Sequence, residues 1–244
     1  MTQQIRITIH PDVYQGRFQS ELASHRSSLR ATLSNIEDGS FFQKTKSARP
    51  DAVIQFDFGP LVASVDEAVT VACNRSFLDV MRSVITYLDW IIAVKRVKGT
   101  QMSVPEGIST VEELQKYFEG YLEQKYQEVS RDTRLTNPKK VDELVSLGLY
   151  ERGALLSYFQ LRRCLEHHGA IASDDLAVPY SRFVISAAGE EIKSLPYHAP
   201  ENTAIDGFFK RETLRFPKGS KVALTEADVE SICLTLQLFI GPNV

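Results

Sequence analysis

The sequence predicts a mainly α fold, an antiparallel helical bundle with a few short β-strands, from three observations. Apolar residues recur at steps of three and four over five long stretches of the chain. Strict alternation is confined to short runs, a pair near the N-terminus and a hairpin before the last helix. Finally, 244 residues with 43% apolar and 24% charged side chains suffice to bury a substantial core, so no disulfide, structural metal or cofactor is expected.

Taken in order, Ile5, Ile7 and Ile9 alternate with polar residues and predict a strand ending at Pro11. Asp12 then caps a helix striped by Tyr14, Phe18, Leu22, Leu29, Leu33 and Ile36, and Gly39 ends it. Ile54, Phe56 and Phe58 predict a second strand stopping at Gly59-Pro60. The longest helix starts near Ser64, where Ser64-x-x-Glu67 has the form of a capping box, and it ends at Gly99. Its stripe is Val69, Cys73, Phe77, Val80, Val84, Leu88 and Ile91, and its last third is apolar on most sides, which places it centrally or at a subunit interface. Ser109-x-x-Glu112 is read as the cap of the next helix, with Val111, Leu114, Phe118, Tyr121, Leu122 and Val129 on one face.

Asn137 and Pro138 make a cap and first-turn pair for a helix running to about His168, with Leu144, Leu147, Ala154, Tyr158, Leu161 and Leu165 inward. Gly148 and Gly153 weaken it and predict a bend or break. Arg182–Ala188 and Leu214–Leu224 are read as strands, with Pro217-Lys218-Gly219 as a turn. Thr225 opens the last helix with Asp228 in the box position, and Gly241-Pro242 stops it. Two units are expected: residues 1–60 as an N-terminal extension packed on the bundle, and residues 61–244 as the helical domain.

Composition narrows the function classes. A formal net charge of -3 argues against bulk electrostatic binding of nucleic acid and leaves room for a local basic patch. Three scattered cysteines without a Cys-x-x-Cys pair suit a reducing compartment. Residues 1–12 alternate rather than forming an apolar signal core, and the most apolar run, Val84 to Val94, is too short to span a bilayer and is interrupted by Asp89. The expectation is a cytoplasmic protein with no membrane partner. No metal-ligand spacing, Gly-rich phosphate loop or nucleophile elbow is found in the sequence.

One segment carries chemistry. Leu161-Arg162-Arg163-Cys164-Leu165-Glu166-His167-His168-Gly169 closes a predicted helix. Arginine is a permanent cation that grips phosphate bidentately, and histidine moves protons near neutral pH. A phosphodiester attacked by its own 2'-hydroxyl needs both, with no metal. Five residues along a helix separate Arg162 and His167 by about 140°, so their convergence requires either unwinding at His167 or a second copy of the chain. The plain alternative is a helix C-terminus in which Arg162 pairs with Glu166.

This segment resembles the Arg-x(4–6)-His signature of HEPN domains, helical-bundle proteins of toxin–antitoxin and defence systems. Arg162 falls on the family arginine, His167 on the family histidine, and Cys164 matches a common variant. The irregular part with a short hairpin and then a closing helix is also similar to stand-alone HEPN proteins. The resemblance implies a homodimer whose two motif helices meet and form a composite, metal-independent endoribonuclease site, acting on RNA as a toxin or antiviral (antiphage) effector. An antitoxin or a nucleotidyltransferase is the implied partner. Arg163 stands where active members carry Asn, Asp or His, which favours an alternative: a non-catalytic HEPN-like module for binding RNA, a nucleotide or a partner protein, or for dimerisation. A one-residue shift makes Arg163 and His168 the secondary candidates.

Three further features are weighed. Asp89 in the apolar helix is read as sitting at the stripe edge or capping backbone rather than as a buried site residue. Lys139-Lys140 is read as a solvated first turn. Gly207 to Ala223 carries five basic residues and one acidic one among phenylalanines, and is read as a solvated hairpin in preference to a track for an RNA backbone.

Overall fold

The structure is a computed structural model that describes residues 12–38, 64–98, 105–145, 152–187, 190–191 and 205–239. The expected strands at Ile5–Ile9 and Ile54–Phe58 lie outside the described residues. Those described are mainly helical, with six helices and a small antiparallel sheet. The helices are α1 (Asp12–Glu37), α2 (Val65–Val97), α3 (Val111–Arg131), α4 (Asn137–Val145), α5 (Arg152–His167) and α6 (Glu226–Phe239). The strands are β1 (Leu176–Ala187), β2 (Glu190–Glu191) and β3 (Ile205–Phe216), in the order β2-β1-β3.

Helix α2 is the mast of the fold. Ser64 caps it by accepting from the Glu67 N–H at 3.2 Å. Its 33 residues make a rod of roughly 50 Å that touches all five other helices among the described residues. Phe77, Val80, Met81, Val84, Leu88 and Ile92 are fully buried along it. Helix α1 lays Phe18, Leu22, Leu29, Leu33 and Ile36 into the same cluster. Trp90 of α2 stacks on Tyr14 of α1 (ring centroids 5.0 Å apart) and on Tyr126 of α3 (4.2 Å), so one aromatic column ties three helices together.

The cap of α3 differs from expectation by one residue. Thr110 and Glu113, not Ser109 and Glu112, form the reciprocal box. Both pairs have the same spacing, and the Glu113 carboxylate accepts from the backbone N–H of both Ser109 and Thr110.

Helix α4 corrects two readings. Lys139 is exposed, but Lys140 is 5% exposed and sets its Nζ 2.5 Å from Asp89 Oδ1, itself 2% exposed. Asp89 is therefore buried, and Lys140 is not a wet first-turn residue. Val141 and Leu144 flank Lys140 on the face turned to α2, and burying them carries the lysine stem inward. Lys95 Nζ donates to the Glu143 carbonyl at 2.7 Å and further secures α4 to α2. The expected long helix after Asn137 is present as two, α4 and α5; Gly148 falls between them, outside the described residues, and Gly153 lies in the first turn of α5.

β1 pairs with β3 over twelve residues, from Leu176↔Phe216 to Ala187↔Ile205. These strands begin earlier than Arg182 and Leu214. Pro179 suggests a break, yet it sits on the outer edge of β1 where no N–H is needed. That edge is covered from the bundle: Tyr158 of α5 donates to the Pro179 carbonyl at 2.8 Å, and Thr235 of α6 accepts from the Ser181 N–H at 2.7 Å. After Phe216 the chain leaves the ladder through the expected turn, in which Ser220 N–H donates to Pro217 O and Gly219 adopts φ +80°. Among the described residues no helix is long and apolar enough to cross a membrane.

Candidate functional site

The candidate segment is the last two turns of α5 and the bend that follows. Leu155, Tyr158, Phe159, Leu161 and Cys164 face the core and fix the helix rotation. The helix ends at His167, and the chain reverses through two consecutive left-handed residues, Gly169 (φ 60°) and Ala170 (φ 62°). The Cys164 carbonyl accepts from the N–H groups of both His168 (3.2 Å) and Ala170 (3.1 Å), which satisfies an orphan acceptor at the helix end. The bend is then fastened to the turn beyond β3, with Val222 N–H donating to Ala170 O at 2.7 Å and Ala172 N–H to Ser220 O at 2.9 Å.

On this frame the Arg162 guanidinium meets the Glu166 carboxylate with two nitrogens. Nε lies 3.0 Å from Oε2, and Nη2 donates to Oε1 at 3.1 Å. Both side chains are about one-fifth exposed. His167 is 69% exposed and turns its Nε2 to 3.9 Å from the same Glu166 Oε2. The Arg162 Nε and the His167 Nε2 therefore lie within about 7 Å of each other, on either side of one carboxylate oxygen. The two groups approach each other through Glu166, which is four residues from Arg162 and adjacent to His167.

Arg163 is exposed on another side of the helix, and Cys164 is buried. His168 is half-buried, with its Nε2 shielded and without a hydrogen-bond partner among the described residues. Of the four candidates, the structure brings together Arg162 and His167. Glu166 is the residue both approach, which the sequence offered only as an ordinary helix-surface partner. Its carboxylate offsets the arginine charge, so an incoming phosphate would have to displace Glu166 or share the guanidinium with it. The His167 imidazole is the group of this set most open to solvent.

The helix also connects to the sheet. Tyr158, about one turn before Arg162, is buried, and that burial pushes its phenol well above the ordinary tyrosine range, so it stays a neutral donor to β1. Tyr180 of β1 donates to Glu212 Oε2 at 2.9 Å; burial, then the bond to Glu212, pushes it up to about 12. Among the described residues no group of three or more His, Cys, Asp or Glu side chains is placed to hold a metal ion. The cysteines Cys73, Cys164 and Cys233 are buried and unbridged.

Comparison with family models, curated proteins and solved structures finds no match for this chain.

Proposed function

We propose that the chain is a HEPN-like, metal-independent endoribonuclease. The observation that carries this reading is the convergence of Arg162 and His167 on a single carboxylate oxygen at the solvent-facing end of α5. In the reaction the 2'-hydroxyl oxygen attacks the adjacent phosphorus and the bond to the 5'-oxygen breaks. Arg162 takes the place of solvent around the phosphate oxygens as negative charge builds there. His167 moves a proton, either accepting it from the 2'-hydroxyl or delivering it to the departing 5'-oxygen. The products are a 2',3'-cyclic phosphate and a 5'-hydroxyl. Each copy supplies one exposed imidazole at its α5 end, so a homodimer that joins two α5 ends would provide acid and base together. On this reading the protein acts as a toxin or antiphage effector held by an antitoxin or a nucleotidyltransferase.

The test is cleavage of single-stranded RNA by the full chain, with product ends identified by mass. Arg162→Ala and His167→Ala are expected to abolish cleavage and any growth inhibition on expression while leaving the melting temperature within a few degrees. RNA cut equally well by both variants overturns the assignment.

A second reading has its own support. Glu166 occupies the guanidinium of Arg162, and Arg163 follows it, both of which suit a non-catalytic HEPN-like module that binds RNA, a nucleotide or a partner protein. That module would show no cleavage under any condition and would tolerate His167→Ala in a binding assay.

A further inference from the structure

The β1–β3 ribbon has two chemically different faces. Residues paired across the ladder share a face, so Phe183 and Phe209 lie side by side, with Arg211 and Arg215 on the same face. This face points to solvent: Phe183 and Phe209 are each 49% exposed, and Arg211, Thr213 and Arg215 are exposed. Of the alternate residues of β3, Glu212, Leu214 and Phe216 turn inward, whereas Asp206, Phe208 and Lys210 nearer its start are exposed.

Charge is segregated in the same way. The only carboxylates within the two long strands, Asp206 and Glu212, belong to the other face, where Glu212 is engaged by Arg182 at 3.1 Å and by Tyr180. Within the two long strands the charged residues of the outer face are Arg211 and Arg215; Glu190 of β2, paired with Ala187, shares that face at its far end.

The rings are built in rather than merely exposed. Phe183 and Phe209 lie 5.3 Å apart between centroids, tilted by 58°. The far edge of Phe183 lies over Gly207, where a Cβ would meet Cζ at 2.7 Å, so the absence of a side chain at Gly207 is what lets the ring lie down. Below the rings, the strand continues through Arg215 and the Pro217–Gly219 turn to Lys221, which bridges to Ile171, just past the bend that ends the candidate helix.

We propose that this face is a stacking platform for single-stranded RNA, with Phe183 and Phe209 stacking on bases and Arg211 and Arg215 contacting the phosphates. Size and charge select the occupant. Two half-exposed rings offer roughly 200 Å² of apolar surface, enough for one or two bases and well short of the roughly 1,000 Å² that a stable protein interface buries. The two arginines on the strand pair beside the rings match a polyanion. The identity of the nucleic acid rests on the function proposed above; the platform's chemistry does not.

The test is fluorescence anisotropy with a short labelled oligouridine RNA and the full-length His167→Ala protein, which keeps the RNA intact. Phe183→Ala/Phe209→Ala is expected to weaken binding tenfold or more. Phe183→Leu/Phe209→Leu, which keeps apolar area but removes the flat π-faces, is expected to lose as much, whereas Phe183→Tyr/Phe209→Tyr retains binding. Arg211→Gln/Arg215→Gln should lower the salt slope by about 1.4, at about 0.7 per phosphate contact on a single strand.

The proposal fails if the parent does not bind, if the Ala pair binds as the parent does, if the Leu pair restores binding or the Tyr pair abolishes it, or if the Ala pair changes only the oligomeric state. Thermal melting of each variant separates loss of the platform from loss of the fold. Binding that persists while no variant or parent cleaves RNA overturns the nuclease reading alone; cleavage that persists with the Ala pair at unchanged KM overturns the platform alone.

Discussion

Replacing Asp89 by Asn tests whether the Asp89–Lys140 contact is a desolvated ion pair. Both side chains are nearly inaccessible, and Nζ lies 2.5 Å from Oδ1. Asn keeps the shape of the acid but removes its charge, leaving a buried ammonium without a counter-ion. Breaking one side of such a pair is expected to cost about 3–5 kcal/mol. For a chain of this length that corresponds to a fall in Tm of about 6–20 °C. The double variant Asp89→Asn/Lys140→Met removes both charges and is expected to regain most of that loss, because two charges no longer have to be taken from water. Urea unfolding provides the assay, and Trp90, the only tryptophan, reports from the next position in the chain.

The pH dependence adds a sign. Burial, the larger effect, holds the Asp89 carboxyl above the ordinary aspartate value near ~3.9, against the opposing hydrogen bond and charge of Lys140. As pH rises above ~3.9, the folded carboxyl keeps a proton that the unfolded one has released, so this group's contribution to stability falls until the folded carboxyl ionises. Asp89→Asn lacks that decline. A single variant within about 1 kcal/mol of the parent, or a double variant as weak as Asp89→Asn alone, refutes the desolvated pair.

Glu166→Gln takes the charge from the carboxylate that occupies Arg162, so oligoribonucleotide affinity should rise several-fold in a filter-binding assay, with stability changed by less than about 1 kcal/mol since the pair is part-exposed; unchanged affinity would mean Arg162 does not meet the phosphate. Ala170→Gly relieves the left-handed backbone at φ 62° and should stabilise the protein by about 1 kcal/mol in chemical denaturation. Burial pushes the Cys73 thiol up to about 11 and Cys233 up to about 12, so both should resist a thiol reagent at pH 8 in the native protein and react fully in denaturant.

What could be read from the sequence was what repeats locally. The α1 and α2 stripes, the Ser64 cap and the Pro217–Gly219 turn each depend on residues within a few positions of one another, and the structure places them where the spacing does. What could not be read was pairing between distant segments. Lys140 follows Pro138 in a polar first turn and reads as solvated; only the docking of α4 on α2 reveals Asp89 as its partner. Ser109–Glu112 and Thr110–Glu113 satisfy one spacing rule equally, and the backbone path decides between them. At the candidate site, Arg162 and Glu166 were legible as an i,i+4 pair, whereas the approach of the His167 ring to the same carboxylate depends on side-chain torsions that residue spacing does not set. The outer ribbon face was hidden because Phe183 and Phe209 stand far apart in the chain and meet only through the strand register.

The contact of α2 with all five other described helices has a consequence for how the molecule comes apart. No peripheral helix can loosen without baring part of this shared rod, so its amides should be the last to take up deuterium, and their exchange should report the cost of opening the whole structure at once.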